Sequence, residues 1–147
     1  MKPLIIGEGP SKYGDPSRPI GGRIGRRLAA LSGVDSATFA QQFSKMNLLD
    51  TWPGQSGKGS KFDAARARES AQRSGRRLRR GRIVILLGKR VAEAFGIEPV
   101  YFDRQSLRDA DAFVVPHPSG VNRWYNVSSN RRKMRAFMMR VAERSLC

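Results

Sequence analysis

The sequence predicts an α/β protein: a three-layer αβα sandwich whose central, mostly parallel sheet has four to five strands. Two observations carry this prediction. Short unbroken apolar runs recur at Leu4–Ile6, Ile83–Leu87, Val100–Phe102 and Ala112–Val115 and read as strands buried on both faces, while Phe43–Leu49 alternates weakly and reads as a further strand. Between most of them lie segments with helical spacing, and strands that alternate with helices form parallel sheets covered on both sides.

Each element follows from its residues. Leu4-Ile5-Ile6 stops at Gly7, and residues 7–22 form a Gly- and Pro-rich loop. Ile24, Leu28 and Leu31 then recur at i, i+4 and i+7, which predicts an amphipathic helix ended by Gly33. Residues 38–43 fit another helical turn. Phe43 to Leu49 forms the next strand, and Thr51 to Gly59 is a loop. Ser60 with Asp63 resembles a capping box, so a polar helix is expected from there to about Leu78. Ile83–Leu87 is the clearest buried strand. Gly88 ends it, and Val91, Ala92 and Phe95 face inward from the helix that follows. Two further strands precede a final helix from about Ser128 to Ser145. Its apolar side is Met134, Phe137, Met138 and Val141.

Composition bounds the function. One domain spanning residues 1–147 is expected, long enough to bury a core without cross-links. The single cysteine, Cys147, excludes an internal disulfide and a cysteine-ligated zinc or iron–sulfur centre. There is no signal-peptide pattern and no run of membrane-spanning length, so a soluble cytoplasmic protein without membrane contact is expected. The 28 Lys+Arg against 12 Asp+Glu give a formal net charge of +16. Arginine predominates, and its planar fork suits phosphate, so the expected partner is a polyanion.

In parallel sheets, ligands bind beyond the carboxyl ends of the strands. Three loops reach that edge here, after Ile6, after Asn47 and after Val115. In the first, Gly7-Glu8-Gly9-Pro10 sets one carboxylate between two glycines, which let a ligand approach the backbone. Neither a P-loop nor a dinucleotide fingerprint is present; the remaining alternative to a catalytic Glu8 is a turn anchor. Asn47 carries a donor and an acceptor fit to read a pyrimidine edge, although a turn-forming asparagine has the same surroundings. His117, the only histidine, lies between two prolines. It is either structural or a neutral imidazole aimed at a developing anion. Ser119-Gly120-Val121-Asn122-Arg123 then reads as a flexible, basic tip able to wedge into a base stack. The bland alternative is a solvated helix start.

These residues resemble the uracil-DNA glycosylase superfamily over nearly the whole chain. Gly7-Glu8-Gly9-Pro10, Asp15 and Ser17-Arg18-Pro19-Ile20-Gly21-Gly22-Arg23-Ile24-Gly25 resemble the first motif of its iron–sulfur branch. Asn47 falls where that branch reads uracil. His117-Pro118-Ser119 is similar to the second motif, and Gly120-Val121-Asn122-Arg123 is closer to the mismatch-specific branch. The resemblance implies a base flipped from DNA and hydrolysis of its N-glycosidic bond by a monomer, without metal, cofactor or covalent intermediate. It implies Glu8 and His117 as catalytic residues with Asp15 as the reserve carboxylate. Gly7, Gly9, Tyr13, Ile20 and Asn47 would line the base. Lys58, Lys61 and Ser119 to Arg123 would hold DNA, with Val121 as the wedge. The sequence departs from the pattern in four ways. It lacks the four cluster cysteines, it has Ile20 where a stacking phenylalanine is usual, it has Gly14 where an acidic residue is usual, and it has Ser11 where the motif ends in glycine.

Overall fold

The computed structural model describes residues 1–10, 14–15, 17–52, 55–56, 59–60, 62–120 and 122–144. In chain order the elements are β1 (Leu4–Gly7), α1 (Gly22–Ser32), α2 (Ser36–Gln42), β2 (Ser44–Asn47), β3 (Gln55–Ser56) and β4 (Gly59–Ser60). They continue with α3 (Ala64–Gly75), β5 (Ile83–Leu87), α4 (Lys89–Ala94), β6 (Gln105–Leu107), β7 (Ala110–Val115), a 3-10 turn (Arg123–Asn126) and α5 (Ser128–Arg144).

Five strands form one sheet in the order β2-β1-β5-β7-β6. All neighbours are parallel except β6, which runs antiparallel to β7 at the edge. Side chains alternate across a strand, and the two faces carry separate cores. Leu4, Ile6, Val84, Leu86, Ala112 and Val114 pack against α3 and α4 through Ala67, Ala71, Val91 and Ala92. Ile5, Ile85, Leu87, Phe113 and Val115 pack against α1, α2 and α5 through Leu28, Phe39, Met134, Phe137 and Met138. Three layers result. Val84, Ile85 and Leu86 are fully buried, and each contributes about 1.5–3 kcal/mol of apolar burial.

Helix ends follow the sequence signals with two corrections, both in α3. Gly33 takes the left-handed conformation at φ 76° and donates its amide to the carbonyls of Ala29 and Ala30, closing α1. For α3, Asp63 is itself the cap: its Oδ1 accepts from the Arg66 amide at 3.1 Å, so the helix begins at Ala64 rather than at Ser60. α3 also stops at Gly75, short of Leu78, because the chain tightens there into three-residue turns from Ser74 to Arg77 and Gly75 to Leu78.

Two strand expectations shift. Val100–Phe102 makes only one bridge, Tyr101 to Val114, because Phe102 turns the chain at φ 66°. The edge strand is instead Gln105–Leu107, whose polar sequence suits an edge covered on one face. The loop after β2 holds the two-stranded β3–β4 ribbon. Among the described residues, no helix is long and apolar enough to cross a membrane.

Candidate active site

The chain leaves β1 toward β2 on one side, and later leaves β5 toward β7 on the other. The loops after β1 and β5 therefore diverge at the carboxyl edge of the sheet, the place where parallel sheets form a ligand crevice. Three expected residues meet there. Glu8 follows β1, Asn47 ends β2, and His117 follows β7.

Glu8 is half-buried. Its Oε2 lies 3.9 Å from His117 Nε2, and its Oε1 lies 3.8 Å from Arg90 Nη1. Both gaps exceed hydrogen-bond length, so the carboxylate is held by charge rather than by a direct bond. An oxygen about 2.8 Å from both groups would lie off the line between Glu8 and His117.

His117 is held far more tightly. Its Nδ1 accepts the Ser119 amide at 3.2 Å, which leaves the proton of the neutral ring on Nε2, the nitrogen facing Glu8. Burial pushes its pKa below the ordinary histidine value; the Glu8 carboxylate opposes that shift and Arg90 adds to it. Asn122 clamps the loop. Its amide nitrogen donates to the His117 carbonyl at 2.8 Å, and its Oδ1 accepts the Trp124 amide at 3.1 Å. The side chain expected to meet DNA is thus engaged within its own loop. The buried Tyr125 hydroxyl donates to the Pro116 carbonyl at 2.6 Å, fixing the other side of the histidine.

Gly88 lies beneath the ring. It has φ 91°, and a Cβ there would come within 3.1 Å of His117 Cβ. Its amide donates to the Val115 carbonyl, so β5 ends as a floor under the histidine. Gly7 plays a similar part on the other wall. A Cβ at Gly7 would lie 2.8 Å from Asn47 Oδ1 and 3.3 Å from Ile20 Cγ1. Missing bulk at Gly7 lets the asparagine amide and the isoleucine side chain converge beside the end of β1. Gly9 packs on Leu49, so its small size serves the join to the β2 loop.

Ile20 is buried at φ 54°, a left-handed conformation that costs a β-branched residue about 1–2 kcal/mol. Asp15 is exposed. Its Oδ1 accepts from the Ser17 amide and hydroxyl, which hold its carboxyl below the usual range. Ser119 is half-buried, and Gly120 and Arg123 are exposed at the tip. Tyr13, Lys58, Lys61 and Val121 lie outside the described residues. The sequence reading missed Arg90, Gly88 and the clamp role of Asn122. Arg90 was submerged in a basic stretch, whereas Asn122 two residues before Trp124 has the pattern of a turn cap.

The family model of the uracil DNA glycosylase superfamily matches residues 1–141. The chain belongs to that superfamily. No curated protein matches it. Members of the superfamily are DNA glycosylases, so a glycosylase-type function on DNA follows in general terms, and the parallel sheet with helices on both faces is the fold expected of a member. The iron–sulfur cluster of the branch resembled by the first motif does not fit this chain. Its one cysteine is Cys147, and no group of three or more His, Cys, Asp or Glu could hold a metal among the described residues.

Proposed function

We propose that this superfamily member is a monofunctional DNA glycosylase that removes uracil, or a related or modified base, from a flipped nucleotide. One observation carries the reading: the Ser119 amide fixes the tautomer of His117, so a neutral imidazole presents Nε2–H to the crevice opposite Glu8. A neutral donor suits an oxygen that gains charge only as the bond breaks.

The chemistry runs as follows. The bond from the base nitrogen to C1′ breaks, and its electron pair leaves with the base. The charge spreads to the adjacent carbonyl oxygen, which accepts the His117 Nε2–H. Water attacks C1′ and gives its proton to the Glu8 carboxylate. Asn47 reads the edge of the base, and Ile20 supplies an apolar wall where an aromatic face is usual. Asp15 is the reserve base if Glu8 proves dispensable. Flipping costs a few kcal/mol. The tip from Ser119 to Arg123, with Val121 as wedge, offsets that cost by filling the vacated stack, while Lys58 and Lys61 meet phosphate.

The test uses single- and double-stranded oligonucleotides carrying uracil, mismatched thymine, hypoxanthine, xanthine or hydroxymethyluracil, followed by alkaline cleavage of abasic sites. Cleavage of at least one substrate, lost in Glu8→Gln and His117→Ala, is expected. Tight binding without cleavage of any substrate would favour a DNA-binding protein that keeps the fold without catalysis. Activity on modified bases alone would favour a role in a dedicated DNA-modification pathway. Activity that survives both substitutions would remove the site assignment.

A further inference from the structure

In sequence, Arg66 to Arg90 looks like one basic stretch. The fold divides it. β5 runs from Ile83 to Leu87, so Lys89 and Arg90 emerge at the crevice while Arg76, Arg77, Arg79, Arg80 and Arg82 lie before the strand, at the opposite edge of the sheet. Five extended residues span roughly 16 Å. Arg108, in the turn between β6 and β7, joins the group, with its guanidinium stem over Gly75.

This edge is built rather than frayed. The Gly81 amide donates to the Asp109 carbonyl, the Asp111 amide to the Arg82 carbonyl, and Arg82 Nε to the Lys2 carbonyl at 3.1 Å. Arg77, Arg79 and Arg80 are exposed. Among the described residues, no ion pair within 4 Å joins any of these arginines to a carboxylate, and the nearby Asp111 is taken by Arg104 at 2.9 Å. Asp109 is the one other acid in the turn. A cluster of arginines that outnumbers its local carboxylates is unfavourable in the free protein and calls for a polyanion.

We infer that the amino edge of the sheet, centred on Arg77, Arg79 and Arg80, binds a second segment of DNA through its phosphates. Arginine forks match phosphate oxygens in pairs. Leu78, between these arginines in the chain, is turned half into the core and so is not a free apolar anchor of the kind that concentrates energy in protein interfaces. A duplex lying across the carboxyl edge leaves the opposite edge open for another segment. One molecule thus holds two separate DNA segments, which favours transfer between neighbouring stretches during search.

The test does not depend on catalysis. An immobilised 25-base-pair duplex is loaded with limiting protein, and capture of a second, fluorescent duplex is measured alongside binding of one labelled duplex in solution. The triple variant Arg77→Gln, Arg79→Gln, Arg80→Gln keeps side-chain bulk at exposed positions, and its melting temperature checks folding. Capture is expected to fall roughly tenfold or more at physiological salt, with single-duplex binding within about threefold of the parent. Undiminished capture would overturn the proposal, because two protein copies joined elsewhere would then explain bridging. So would an equal loss of both signals, which would put the arginines in one footprint. Capture of an RNA hairpin in preference to duplex DNA would overturn the choice of partner.

Discussion

The two loops that face each other across the crevice are held in opposite ways. The loop after β7 is tied at every turn: Ser119 to the His117 ring, Asn122 to the His117 carbonyl, Tyr125 to the Pro116 carbonyl, with Gly88 beneath. Among the described residues of the loop after β1, those near the site are anchored through the backbone, where the carbonyls of Gly7 and Glu8 accept the amides of Leu48 and Leu49. The Glu8 carboxylate itself has only long-range ion pairs. The difference follows from what each group must do. A donor that stabilises a developing charge works best when its orientation is fixed in advance. A carboxylate that handles water must be able to adjust to it.

The largest effect that would test this contrast is on the loose side. Glu8→Gln keeps shape and removes the base, so kcat should fall by about 10²–10⁴ with KM little changed. A similar loss in both constants would mean that Glu8 binds substrate rather than water. Next comes the rigid side, where His117→Ala should lower kcat by about 10²–10³, the usual cost of one fixed donor.

Smaller effects probe the rigidity itself. Gly88→Ala forces a side chain into φ 91° and against the imidazole. It should cost about 1–2 kcal/mol in thermal unfolding, together with a drop in kcat. Asn122→Ala should cost about 1 kcal/mol, with kcat falling more than KM rises; unchanged kcat would show that the clamp serves only the fold. The last effect is of pH. Burial lowers the His117 pKa in the folded state, so the unfolded chain takes the proton first. Stability is full above the ordinary histidine value of about 6.5, is lost as pH falls through it, and levels off below the folded value. Urea midpoints from pH 8 to 4 should show this decline, and His117→Gln should lack that component.

Much of this was legible in the sequence. Leu4–Ile6 and Ile83–Leu87 announce buried strands because both of their faces are covered, and Met134, Phe137, Met138 and Val141 announce one helix face. Glu8, Asn47 and His117 were legible because each lies at or just past the carboxyl end of an expected strand, at the same sheet edge. Gln105–Leu107 was not, since an edge strand needs little apolar content. Nor were Gly88 and Arg90 as members of the site. They are distant from His117 and Glu8 in the chain, and only strand order brings β5 between β1 and β7. The division of the basic stretch was hidden for the same reason.

That strand order also bears on when the protein becomes competent. Leu4 pairs with Val84, and β5 then pairs with β7, so Glu8 and His117 come together only after the longest loop in the sheet has closed. Non-local parallel pairing is slow, because loop-closure entropy is lost before the contacts form. During synthesis the crevice is completed only once β7 and the turn after it have emerged and docked. A nascent chain that has reached only α3 exposes the apolar edge of β1 and carries Glu8 without its histidine, and in that interval it is open to aggregation.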